Sequence, residues 1–147
     1  MSIVRNQSLR CLPFALMTLA VIGCSNKDDA EPTLAVVTGT ITLDGQPLPN
    51  ADLEFHYKGT APEAYRGAAS RSDAKGVFQV KSVIEGKTGA KLGILPGPHN
   101  VIVTRTQSDG QPEVPKKYTS LETTDLELKA SEERSIGYVL ELSSATE

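Results

Sequence analysis

Thr38-Gly39-Thr40-Ile41-Thr42-Leu43-Asp44-Gly45-Gln46-Pro47-Leu48-Pro49-Asn50-Ala51-Asp52-Leu53-Glu54-Phe55 decides the fold of this chain. Along it the apolar positions recur with period two. Val37, Ile41 and Leu43 alternate with Thr38, Thr40 and Thr42, and Gly39 falls on the apolar face. That period marks a strand with one face in a core, because successive side chains point to opposite sides of a sheet. Asp44-Gly45-Gln46-Pro47 reads as a turn, with Gly free to take positive φ and Asp able to cap backbone N–H groups. Leu53, Phe55 and Tyr57 then alternate with Asp52, Glu54 and His56 to make a second strand.

The same pattern continues toward the C-terminus. A Gly59-Thr60-Ala61-Pro62 loop precedes a third strand, Tyr65 to Ser72, with little apolar content. Asp73-Ala74-Lys75-Gly76 is a second tight turn, leading into Val77 to Val80. Residues 84–91, with Gly86 and Gly89, read as irregular. Leu95-Pro96-Gly97-Pro98 introduces a β-prone run from His99 to Thr106, and 107–120, with Gly110, Pro112 and Pro115, reads as a long loop. Leu126 and Leu128 make a short strand. Ile136, Tyr138, Leu140 and Leu142 make the last, whose clean alternation predicts pairing within a sheet. No stretch beyond the N-terminus carries a convincing helix. The expectation is an all-β, seven-stranded antiparallel β-sandwich over residues 34–143, with a tail at 144–147.

The N-terminus differs in kind. Arg5 and Arg10 precede an apolar run from Cys11 to Ile22, which closes on Val21-Ile22-Gly23-Cys24 and gives way to Ser25-Asn26-Lys27-Asp28-Asp29. About a dozen apolar residues are too few for a permanent transmembrane helix, which needs ~20, but they suit a cleaved signal peptide. The four closing residues resemble a bacterial lipobox, with Val21 in place of the more usual Leu. That resemblance implies cleavage between Gly23 and Cys24 and lipidation of Cys24. Two or more acyl chains meet the requirement for stable anchoring. Residues 1–23 are then the signal, and residues 24–33 the lipidated Cys and a polar spacer reaching at most roughly 30 Å. The expected address is the cell envelope. Ser25, rather than an Asp, favours the outer membrane over the inner.

Composition sets further bounds. Removal of residues 1–23 from the 147 leaves 124, one domain's worth. The signal takes two of the 15 basic residues and none of the 18 acidic ones, so the formal charge moves from −3 to −5. An acidic chain of this kind does not read as a nucleic-acid binder. Cys11 leaves with the signal and Cys24 would carry lipid, so neither of the two cysteines is available for a disulfide or a metal site. Stability falls to an ordinary hydrophobic core.

Four segments in order resemble the carboxypeptidase regulatory-like, or transthyretin-like, domains found in lipoproteins of planctomycete-type bacteria. They are Thr38 to Phe55, Ser72-Asp73-Ala74-Lys75-Gly76-Val77-Phe78, Pro96-Gly97-Pro98-His99-Asn100-Val101-Ile102-Val103 and Pro115-Lys116-Lys117-Tyr118. The resemblance covers roughly residues 36–142 and implies a prealbumin-like Greek-key sandwich. The residues that carry it, Gly39, Asp44, Gly45, Asp73, Gly76 and Gly97, are turn and structural positions and carry no chemistry. The peptidase's zinc-binding catalytic domain has no counterpart here.

Catalytic signals are thin. His56 shares a face with Asp52 and Glu54 and should point to solvent; His99 shares a face with Val101 and Val103 and should sit at the core margin. A metal site would need the two to converge with a carboxylate, and none is expected. Tyr65-Arg66-Gly67 is similar to the C-terminal tetrapeptide of the hydroxyisourate hydrolases. Here it is internal, continues into Ala68, and lacks a histidine motif upstream, since residues 36–44 contain no His. Asp44, Asp73 and Asp109 are isolated turn aspartates rather than a calcium loop. The sequence therefore points to a non-enzymatic, lipid-anchored binding or structural module without a cofactor, attached to the membrane and facing an envelope protein or glycan. Two alternatives stand beside it. One is carbohydrate binding, for which the chain offers Tyr57, Tyr65, Tyr118 and Tyr138 but no Trp. The other is an enzyme with its site near His99 and the 107–120 loop, and Lys116-Lys117 could touch an anionic partner.

Overall fold

The computed structural model describes residues 31–105, 114–132 and 135–145. Ten strands follow one another: β1 (Val37–Leu43), β2 (Gln46–Pro47), β3 (Asp52–Tyr57), β4 (Tyr65–Arg71), β5 (Val77–Gln79), β6 (Lys81–Ile84), β7 (Ala90–Leu92), β8 (Gly97–Thr104), β9 (Glu127–Ala130) and β10 (Ser135–Leu142). A single 3₁₀ turn, Lys116–Tyr118, is the only helical element among the described residues.

The strands form two sheets. One has the order β10-β1-β2, with β5 also paired to β1; the other runs β7-β6-β4-β3-β8-β9. The all-β expectation holds, and two features differ from it. The described strands number ten rather than seven, because the Gln46–Pro47 arm pairs with β1 and the 84–91 stretch, read as irregular, lies within the β6–β7 hairpin. The pairing is also not wholly antiparallel: β1 and β10, the first and last strands, run parallel. Period-two patterning sets which face of a strand is buried but not the direction of its neighbour.

One core fills the space between the sheets. Val37, Ile41, Phe78, Leu140 and Leu142 come from one side, and Leu53, Phe55, Ile84, Val101, Val103 and Leu128 from the other. Phe55 and Phe78 meet across it with ring centroids 6.2 Å apart. Gly39 is required where they meet. A Cβ there would lie 2.4 Å from the Tyr138 carbonyl oxygen and 2.6 Å from the Phe78 ring, so only a bare backbone lets β10 and Phe78 close in.

Residues 93–96 cross from β7, at one edge of the large sheet, to β8 in its interior, and they carry the buried Ile94 and Leu95. The segment that enters the domain docks on this crossing. Ala35 and Ile94 exchange backbone hydrogen bonds of 2.8 and 2.9 Å, and Leu34 packs against the core. Glu31, within the stretch read as spacer, forms ion pairs with Lys91 and, at 3.6 Å, with Lys87.

Candidate functional site

The structural residues singled out from the sequence sit at turns and contacts. Asp44 and Gly45 both take positive φ, 49° and 77°, and reverse the chain between β1 and β2. Hydrogen bonds from Ser144, through its side chain and its backbone N–H, hold the Asp44 carboxyl below the usual range. The turn thereby ties to the end of the chain, a contact local sequence does not announce. Asp73 Oδ1 accepts from the N–H groups of Lys75 and Val77, both at 2.8 Å, so the aspartate caps its own turn. Gly97 approaches the Tyr57 ring. Gly23, Cys24 and Asp109 lie outside the described residues.

The two histidines do not converge. His56 is half-exposed and its Nε2 lies 3.4 Å from Glu54 Oε2 on the same strand face. His99, expected at the core margin, is fully buried. Its ring packs against Tyr57 at 5.0 Å, and Nδ1 lies 3.1 Å from the Gly97 carbonyl oxygen. A carbonyl only accepts, so Nδ1 carries the proton and Nε2 presents a lone pair to the interior. That Nε2 has no hydrogen-bond partner among the described residues. Burial pushes the ring below its ordinary pKa, and the Gly97 hydrogen bond returns part of the shift. A sealed, neutral imidazole lacks the access to substrate that acid–base work requires.

Among the described residues the surface carries open depressions. One groove of about 570 Å³ is lined by Glu31, Glu63, Ala64, Ile84, Glu85, Gly86 and Lys87. Two of its three carboxylates are engaged, Glu85 with Arg66 and Glu31 with the two lysines. Among the described residues no three His, Cys, Asp or Glu side chains gather as a metal site would require. Every described aromatic ring is at least half-buried. Tyr65 and Tyr118 are core residues, Tyr57 and Tyr138 pack on the core, and Tyr118 accepts a hydrogen bond from the Ser143 N–H. Lys117 sits over the Tyr118 ring at 4.7 Å and 3.8 Å from Asp125.

Three buried groups escaped the sequence reading. Ser72 Oγ accepts from the Ala51 N–H at 2.9 Å and donates to the Leu48 carbonyl at 2.7 Å, pinning the β2–β3 connection. Ser82 Oγ donates to the Gly93 carbonyl at 2.7 Å. Gly93 itself has φ +112°, and a Cβ there would meet the Ala35 carbonyl oxygen at 2.8 Å and Leu34 Cβ at 2.9 Å. Serines in a low-apolar strand and one glycine among many give no local signal that they are buried against distant chain.

No known protein-family model, curated protein or solved structure matches this chain.

Proposed function

We propose that this chain is a lipid-anchored, non-enzymatic protein of the bacterial envelope, with its β-sandwich serving as a binding or structural module. The observation that carries the reading is Val21-Ile22-Gly23-Cys24 at the end of a short apolar run, preceded by Arg5 and Arg10 and followed at once by polar, acidic sequence. Cleavage before Cys24 and its acylation would attach the domain to a membrane, the outer one on the strength of Ser25. The prealbumin-like, Greek-key form of the sandwich and the kinship with carboxypeptidase regulatory-like domains belong to the same proposal.

The domain's interior supports a module rather than an enzyme. The histidine around which a catalytic site would be built is closed off in the core. A glycan platform of flat exposed rings finds no support in the six described aromatics, all of which are spent on packing. An envelope protein is therefore favoured over a glycan as the partner.

Mass spectrometry of the mature protein's N-terminus tests the anchor. An acylated Cys24 as residue one is the expected result; an uncleaved or unmodified Cys24 refutes the reading. Pull-down from envelope fractions then separates binding from structural roles, with a specific, saturable partner protein expected for the former.

A further inference from the structure

We infer that the docked entry segment, residues 31–35, sets the pose of the domain on the bilayer, with the 58–64 and 85–89 loops toward the lipid and the opposite end outward. The inference rests on the lipid anchor proposed above and on where the chain joins the sandwich. Strand register places the 58–64 and 85–89 loops at one end of the large sheet, since Phe55 pairs with Ala68, Tyr65 with Ile84 and Val83 with Ala90. Glu31 reaches the domain at that same end, through Lys87 and Lys91 of the β6–β7 hairpin. The other end gathers the 44–47 and 73–76 turns, Tyr118 and the C-terminal residues: Gly76 packs on Ile41 and Leu48, and Ser144 bonds Asp44.

Chain length makes this join decisive. From Cys24 to Glu31 there are only seven peptide steps, a reach of at most about 25 Å. An eight-residue strand such as β8 is itself about 26 Å long. Turning the domain over would lift Glu31 by about that strand length, which needs the whole link pulled straight. The join is also built in. Exposed ion pairs from Glu31 contribute little alone, but Ala35 is buried, hydrogen-bonded both ways to Ile94, and admitted only because residue 93 is glycine. Were the segment to undock, residues 31–36 would roughly double the reach, and the pose would no longer be fixed. The lipid-facing end suits a headgroup layer without being drawn into it, because Arg66–Glu85 and Lys58–Glu127 are neutral pairs and Glu63, in the same groove, offsets the single positive excess of Glu31 with its two lysines. The surface left for a partner is then the outward end, including Lys116 and Lys117.

The test uses the mature full-length protein in bicelles containing a lipid with a gadolinium-chelate headgroup, read by amide NMR, with the mass spectrum of the same sample. Loss of signal at the 59–61 and 85–89 amides, with intensity retained at 44–46 and 73–76, is expected. Equal loss at both ends, or loss at the turns alone, on a protein with acylated Cys24 overturns the pose and leaves the anchor standing. An unacylated Cys24 overturns both. Gly93→Ala should erase the difference between the ends. Because that variant strains the fold, a Gly/Ser insertion of about ten residues after residue 30 serves as a second probe that leaves the domain intact. A pose unchanged by the insertion refutes the role of tether length.

Discussion

The 73–77 turn and the 93–96 crossing each depend on a positive-φ glycine pressed against a carbonyl, yet one announces itself in sequence and the other does not. At the turn, Asp73 supplies both capping bonds from within four residues, and Gly76 closes the reversal at φ +74°. At the crossing, Gly93 answers to Val80, Ser82 and Ala35, which lie 11 to 58 positions away. The Asp73 caps are legible because their partners are near in sequence, so that residue type and spacing carry those bonds, whereas the contact of Gly76 with the Ile41 carbonyl is as long-range as that of Gly93 with Ala35. A feature is silent when a long-range contact supplies the reason.

Substitutions can break this comparison. The largest effect should come from Ile94→Ala, which empties a fully buried side chain where the crossing meets the entry segment. A loss of about 2–5 kcal/mol is expected from urea unfolding. Next come the two glycines. Gly93→Ala and Gly76→Ala should each cost about 1–3 kcal/mol of backbone strain, with added cost where Cβ meets a carbonyl oxygen. Their reach should differ. Hydrogen exchange should speed at Ala35 and Ile94 in the Gly93 variant, and near residues 41, 48 and 77 in the Gly76 variant. Equal, global acceleration in both would remove the distinction between the two glycines' separate contacts. Asp73→Ala should cost about 1–2 kcal/mol, as a lost helix-cap or turn-cap bond does, and Asp73→Asn, which keeps an acceptor, should cost less.

The smallest effect concerns pH. His99 titrates below its ordinary value in the folded chain, so the unfolded state binds more protons as pH falls. The stability held by the neutral ring is complete above the unfolded value of about 6.5 and is lost as pH drops through the folded one. The urea midpoint of the wild type should therefore decline from pH 7.5 to pH 5 more steeply than that of His99→Leu. Parallel curves would show that the ring is solvated after all.

The pattern of success within the chain follows the same line. The alternation of β1 and β3, the Asp44-Gly45 and Asp73–Gly76 turns and the β8 run were all readable because period and turn chemistry are local. The β6–β7 hairpin is not legible because Lys81–Ile84 and Ala90–Leu92 are too short and too mixed to show a period. Alternation puts His99 on the buried face but does not give its depth. Face follows from the two-residue repeat, whereas depth depends on Tyr57 and Leu128 of the flanking strands.

By itself, then, the sequence determined an all-β chain, the faces that its strands bury and the turns that punctuate them, and it pointed to a membrane anchor at Cys24. Tertiary structure alone decided that β1 and β10 lie parallel, that His99 is sealed, and that the entry segment docks through Ala35 on the Gly93–Ile94 crossing. The physical reason is range. Side-chain alternation and turn capping are settled within a few bonds of chain, while strand neighbours and burial depth are settled by which distant surfaces meet.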